Sequence, residues 1–130
     1  MDMKILGIGT DIVKNARFRF LIKKKNFINR TFGKKEIKLS QKLSNKSNFF
    51  SKRFAAKEAF AKSLGTGFRN NLNLKDIEIL NDKMGKPFYI KSKKIDKLIN
   101  KIFKTKKYNL FLSISDEKDY SVAFTIIQRR

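Results

Sequence analysis

The chain has 130 residues, 41% of them hydrophobic, with no cysteine, no histidine and a formal net charge of +21. That length predicts a single domain with one modest core. The missing residue types exclude disulfides, thiolate chemistry and zinc–thiolate sites, and remove the commonest general base and transition-metal ligand, so chemistry must rest on carboxylates, lysine, hydroxyls, backbone groups or a hard metal. Residues 4–13 are apolar and β-branched and predict a strand ending near Asp11. Residues 14–25 predict a basic amphipathic helix, with Ala16, Phe20 and Leu21 among Arg17, Arg19 and Lys23 to Lys25. Phe27, Ile28 and Phe32 lead to Gly33 and a shorter helix at about 34–43, and Ser44 to Ser47 reads as a polar linker. The main helix follows, with Phe50, Phe54, Ala61 and Leu64 along one face and Gly65 as its stop.

Residues 74–80 alternate as a half-buried strand. A turn at Asn81 to Gly85 and a return strand at Pro87 to Ile90 complete a hairpin. A Lys-rich helix is expected at about 92–103, then strands at 109–115 and 120–127 joined by Asp116-Glu117-Lys118-Asp119. The pattern is α+β with a largely antiparallel sheet. No apolar run is long enough to span a bilayer, and Asp11 and Lys14 interrupt the short apolar stretch near the N-terminus, so a cytoplasmic protein is expected.

The charge invites a nucleic-acid reading, that of a non-enzymatic basic binding protein. Its lysines are spread along the whole chain, however, as on a solvated surface, and the aromatic–basic motif of an RNA-binding sheet is missing. No specific nucleic-acid partner is therefore expected.

Two segments carry the chemistry. Leu6-Gly7-Ile8-Gly9-Thr10-Asp11-Ile12-Val13 puts a lone carboxylate at the end of an apolar strand. Gly7-Ile8-Gly9 lacks the third glycine and following helix of a dinucleotide fingerprint. On the main helix, Glu58 and Lys62 share a face, with Arg53 and Lys57 on a neighbouring one; by themselves Glu58 and Lys62 read as a surface ion pair. If Asp11 met Glu58, the two carboxylates would repel unless a cation lay between them, and Mg²⁺ suits one or two carboxylates completed by water and ligand phosphates. Gly65-Thr66-Gly67 could let backbone approach a phosphate. A helix C-terminus is the wrong end for an anion, so Arg53, Lys57 and Lys62 would have to supply the positive charge.

These residues resemble the signature of the holo-acyl-carrier-protein synthases, small bacterial members of the 4′-phosphopantetheinyl transferase superfamily. The family pattern is a glycine-containing strand ending in Asp, a helical Arg, then R-F-x-x-K-E-A-x-x-K-x-x-G-T-G. Gly9, Asp11, Arg17, Arg53, Phe54, Lys57, Glu58, Ala59, Lys62, Gly65, Thr66 and Gly67 match it, and Gly85-Lys86-Pro87 matches a G-K-P turn. The resemblance runs from about residue 5 to 127. It implies transfer of phosphopantetheine from coenzyme A to a serine of apo acyl-carrier protein, in fatty acid biosynthesis. It implies Mg²⁺ held by Asp11 and Glu58, and catalysis by Lys62 and Glu58. Arg53, Lys57, Gly65, Thr66, Gly67, Lys86 and Pro87 match coenzyme-binding positions, and the fold is implied to be a homotrimer with sites between subunits. Arg17 and Lys24, with Phe20 or Leu21 as apolar anchors, are the expected docking surface for an acidic carrier protein. Many members carry a histidine after the penultimate strand, where this chain has Ser115-Asp116-Glu117, so a histidine base is not available.

Overall fold

The computed structural model describes residues 3–66 and 72–130. Its elements are β1 (Lys4–Lys14), α1 (Ala16–Leu21), α2 (Lys25–Thr31), α3 (Lys34–Ser40), α4 (Lys46–Ser63), a 3₁₀ turn (Leu74–Asp76), β2 (Ile79–Asn81), β3 (Pro87–Tyr89), α5 (Lys93–Phe103), β4 (Tyr108–Asp116) and β5 (Tyr120–Arg129). Strands β1, β5 and β4 form an antiparallel sheet in that order, and β2 and β3 form a separate hairpin. The α+β reading and the hairpin are both present. Among the described residues, no helix is long and apolar enough to cross a membrane.

The sheet lays one face on α4. Ala123, Thr125 and Ile127 of β5 are buried, as are Ala55, Ala56, Ala59 and Phe60 of the helix. The alanines among them let the layers approach closely. At Gly9 an added Cβ would lie 1.9 Å from the Ala59 carbonyl oxygen, and at Gly7 the same distance from that of Ser63. The Gly-x-Gly pair is thus a packing device: β1 touches the helix backbone with no side chain between.

Several expected boundaries move. Strand β1 continues three residues past Asp11, which pairs with Ala123 in mid-strand. The expected helix at 14–25 is two short helices, broken where Lys24 turns extended. Phe18 is its buried residue, packed on Phe27 and Phe54, whereas Phe20 is 62% exposed. Helix α4 starts at Lys46, inside the expected linker, because the Asn45 side chain accepts from the Asn48 amide at 3.2 Å; such a cap satisfies one of the free N–H groups at a helix start. It is buried on nearly every side, not along one stripe, and its buried residues include Arg53 and Lys57.

The predicted strand at 74–80 shrinks to the start of β2. The Lys57 ammonium takes the Leu74 and Ile77 carbonyls at 3.1 and 2.5 Å, and the Ile79 amide donates to Glu36 at 3.1 Å. Backbone groups bonded to side chains in this way are not available to a ladder.

The candidate active site

Strand β1 and helix α4 bring Asp11, Glu58 and Lys62 together. The Lys62 ammonium donates to Asp11 Oδ1 at 3.0 Å; the lysine side chain is 56% exposed and the aspartate 16%. Partial burial, and then the nearby Asp11 charge, raise the Glu58 carboxyl above its ordinary value, while Lys62 and Arg17 pull it back down. Two carboxylates are therefore close enough to repel, with two cations beside them. Among the described residues, no group of three or more acidic side chains could form an all-protein metal cage. The donor set fits Mg²⁺, which takes one or two carboxylates and leaves its other positions to water and phosphate.

Lys57 departs from the sequence expectation of a ligand-facing cation. It is fully buried and donates to Glu36 at 2.6 Å and to the two carbonyls of the 3₁₀ region. An ammonium has three protons, and all three are engaged. Burial lowers its pKa, opposed first by the Glu36 charge. Glu36, which the sequence reading passed over, is the hub of this network: it also accepts from the Gly33 amide at 2.9 Å and lies 3.9 Å from Arg53 Nε. No sequence pattern announces it, since it sits in a short helix among lysines.

Arg53 is buried too, but it lines a cleft of about 500 Å³ together with Phe49, Lys52, Asn81, Pro87 and Asp116. Its guanidinium lies 3.8 Å from the Phe49 ring centroid, donates from Nε to the Ile79 carbonyl at 3.3 Å, and donates to Asn81 Oδ1 at 2.7 Å. Burial lowers its pKa and Glu36 raises it. Asn81 is a second residue the sequence reading did not single out. Gly85 and Pro87 belong to the cleft wall, and Lys86 is exposed, its amide held by Asp82 Oδ1 at 2.9 Å.

At an advance of about 100° per residue, the five residues from Arg53 to Glu58 turn about 140° round α4. The cleft and the carboxylate pair therefore lie on different sides of the helix. Gly65, with φ +77°, ends the helix in the left-handed region where glycine is favoured. The Thr66 hydroxyl is buried without a hydrogen-bond partner among the described residues, and Gly67 lies outside them. Arg17 and Lys24 are exposed on the α1–α2 surface, and the Lys24 ammonium stands 4.6 Å from the Phe20 ring centroid.

Residues 7–125 match the sequence pattern of the 4′-phosphopantetheinyl transferase superfamily. The chain is 58% identical to a holo-[acyl-carrier-protein] synthase of Pelagibacter ubique (strain HTCC1062) over 98% of this chain and 100% of that one. It is similar in fold to a crystal structure of the holo-[acyl-carrier-protein] synthase of Neisseria meningitidis, with a TM-score of 0.85 and 36% identity over 95% and 98% of the two chains. A synthase from Bacillus anthracis str. Ames, solved in complex with CoA (3′,5′-ADP), matches with a TM-score of 0.81 and 32% identity over 99% and 100%.

Proposed function

As the chain belongs to the holo-acyl-carrier-protein synthases of the 4′-phosphopantetheinyl transferase superfamily, we propose that it transfers phosphopantetheine from coenzyme A to a serine of apo acyl-carrier protein. On this reading it works in the cytoplasm and supplies holo carrier protein to fatty acid biosynthesis. The observation that carries the site assignment is the pairing of Asp11 with Glu58, flanked by Lys62 and Arg17.

In the reaction the serine oxygen bonds to the phosphorus that carries pantetheine. The pyrophosphate P–O bond breaks, adenosine 3′,5′-bisphosphate leaves with the bonding electron pair and the negative charge, and the serine proton is released to solvent. Such transfers depend chiefly on positioning and on charge stabilisation. Asp11 and Glu58 would hold Mg²⁺, which would neutralise charge on the pyrophosphate. Lys62, exposed and adjacent, can turn its ammonium toward the same phosphate oxygens. Arg53, held in the cleft, offers donors to the nucleotide end of the coenzyme, beside Gly85, Lys86 and Pro87. Gly65, with open space where a Cβ would stand, gives the end of α4 an open backbone approach, and Thr66 adjoins it.

One chain presents the carboxylates and the cleft on different sides of α4, so a single coenzyme molecule would reach both more readily between two subunits. A homotrimer provides such interfaces. The outer face of the sheet supports it: Ile5, Ile8 and Ile12 of β1, Phe111 of β4 and Phe124 of β5 are all exposed. An apolar surface of this kind marks an interaction site. Carrier protein would dock on Arg17, Lys24 and Phe20, where basic charge surrounds an exposed ring.

The test is incubation with coenzyme A, Mg²⁺ and apo carrier protein, read by intact mass. The carrier gains the mass of one phosphopantetheine. An unchanged carrier mass under conditions where a known synthase modifies it would overturn the proposal.

A further inference from the structure

We propose that Asn81 is a positioning residue for coenzyme binding, clamping Arg53 and the β2–β3 turn into one preformed wall of the cleft. The inference rests on the assignment of that cleft to the coenzyme.

Asn81 uses both ends of its amide. Its Oδ1 accepts from the Arg53 guanidinium at 2.7 Å, and its Nδ2 donates to the Gly85 carbonyl at 2.9 Å. Arg53 and Gly85 both line the cleft. One short side chain therefore fixes the cation and the backbone that face the same space. The rest of the guanidinium shell constrains it less. Phe49 covers one face, Nε reaches the Ile79 carbonyl at the longer distance of 3.3 Å, and Glu36 is 3.9 Å away. Without Asn81, the outer nitrogens lose their nearest acceptor and the plane is free to turn about the Cδ–Nε bond. A guanidinium has five protons in a fixed fork, so its value to a phosphate depends on orientation. Held as it is, it meets a phosphorylated ligand without first losing rotational freedom.

The turn has a second lock that serves as a control. Asp82 Oδ1 accepts from the Met84 and Lys86 amides, each at 2.9 Å, whereas Arg53 bonds to Ile79 and Asn81. Asp82→Ala loosens the turn and leaves the guanidinium clamped, whereas Asn81→Ala frees the guanidinium and its tie to Gly85 while Asp82 still holds the turn.

The experiment measures KM for coenzyme A and for carrier protein, Kd for adenosine 3′,5′-bisphosphate, and the melting temperature. Wild type, Asn81→Ala, Asp82→Ala and Lys52→Glu are compared. Asn81→Ala raises KM for coenzyme A and Kd for the bisphosphate about ten-fold, the scale of a lost hydrogen bond to a charged group. Its KM for carrier protein stays at the wild-type value, and kcat falls far less than KM for the coenzyme rises. Asp82→Ala lowers the melting temperature without a comparable rise in KM. A normal KM for coenzyme A in Asn81→Ala, or an equal rise in Asp82→Ala, overturns the proposal. Lys52→Glu reverses a charge on the cleft wall; if it leaves coenzyme affinity unchanged, the assignment of the cleft fails, and the proposal with it.

Discussion

Gly9→Ala tests whether contact between β1 and α4 builds the site. The added methyl would stand 1.9 Å from the Ala59 carbonyl oxygen and 2.7 Å from the Ser63 amide nitrogen. Real Cβ atoms keep at least 3.0 Å from such neighbours, so strand and helix must part by at least 1.1 Å, the difference between 3.0 and 1.9. The obstructing atoms are helix backbone, and β1 is paired with β5 along its length, so neither side yields by a rotamer change. Overpacking of a well-filled core costs about 1–3 kcal/mol. The same displacement moves Asp11, two residues on, away from Glu58 and Lys62. A misplacement of about 1 Å at a reacting centre costs on the order of 100-fold in rate. Gly9→Ala should therefore lower both the thermal midpoint and kcat/KM, with a loss of turnover that persists well below the midpoint. Urea or thermal melts paired with the transfer assay read both effects. Wild-type stability and turnover in this variant would refute the reasoning.

Burial and the Asp11 charge raise the Glu58 pKa in the fold, so the folded state holds its proton more tightly than the unfolded chain. Stability is then lost as pH rises through the raised value and is fully present below the ordinary carboxylate value. In the absence of divalent ions, Glu58→Gln should melt higher than wild type at pH 7, and the difference should vanish below the ordinary carboxylate value; a lower midpoint at pH 7 would contradict this. Arg17→Glu should raise KM for carrier protein more than KM for coenzyme A, with wild-type carrier binding weakening as salt is added. Equal effects on both substrates would count against a docking role. Light scattering at moderate salt should give a trimer, and Phe124→Lys should reduce both its mass and its activity; a fully active species with the mass of one chain would refute the shared site.

Local signals made much of the fold legible. The last two strands, the turn at Asp116 to Asp119 that joins them and the glycine after α4 fall where the sequence puts them. The misreadings share a physical origin, because each depends on a distant side chain. The segment at 74–80 alternates like a strand, yet Lys57 and Glu36 take up its backbone groups from another part of the chain. Lys57 reads as a ligand-facing cation from its neighbours on the helix; Glu36 on α3, with the Leu74 and Ile77 carbonyls, makes its burial tolerable. An isolated buried charge would be prohibitive. The proximity of Asp11 to Glu58 was legible only as a condition, since spacing cannot say that β1 lies flush on α4. The Gly-x-Gly strand and the alanines of the helix were the available signal, as both remove side-chain bulk. Asn81 gave no such signal, because its role exists only once Arg53 has been folded against the hairpin.

The most direct test of the central claim is phosphopantetheine transfer at limiting Mg²⁺ by Asp11→Asn and Glu58→Gln, beside folded wild type and a chelator control. The two carboxylates should be jointly required: each variant keeps its fold and loses most turnover, and wild type with chelator loses it as well. Near-normal transfer by either variant at limiting Mg²⁺ would contradict the account.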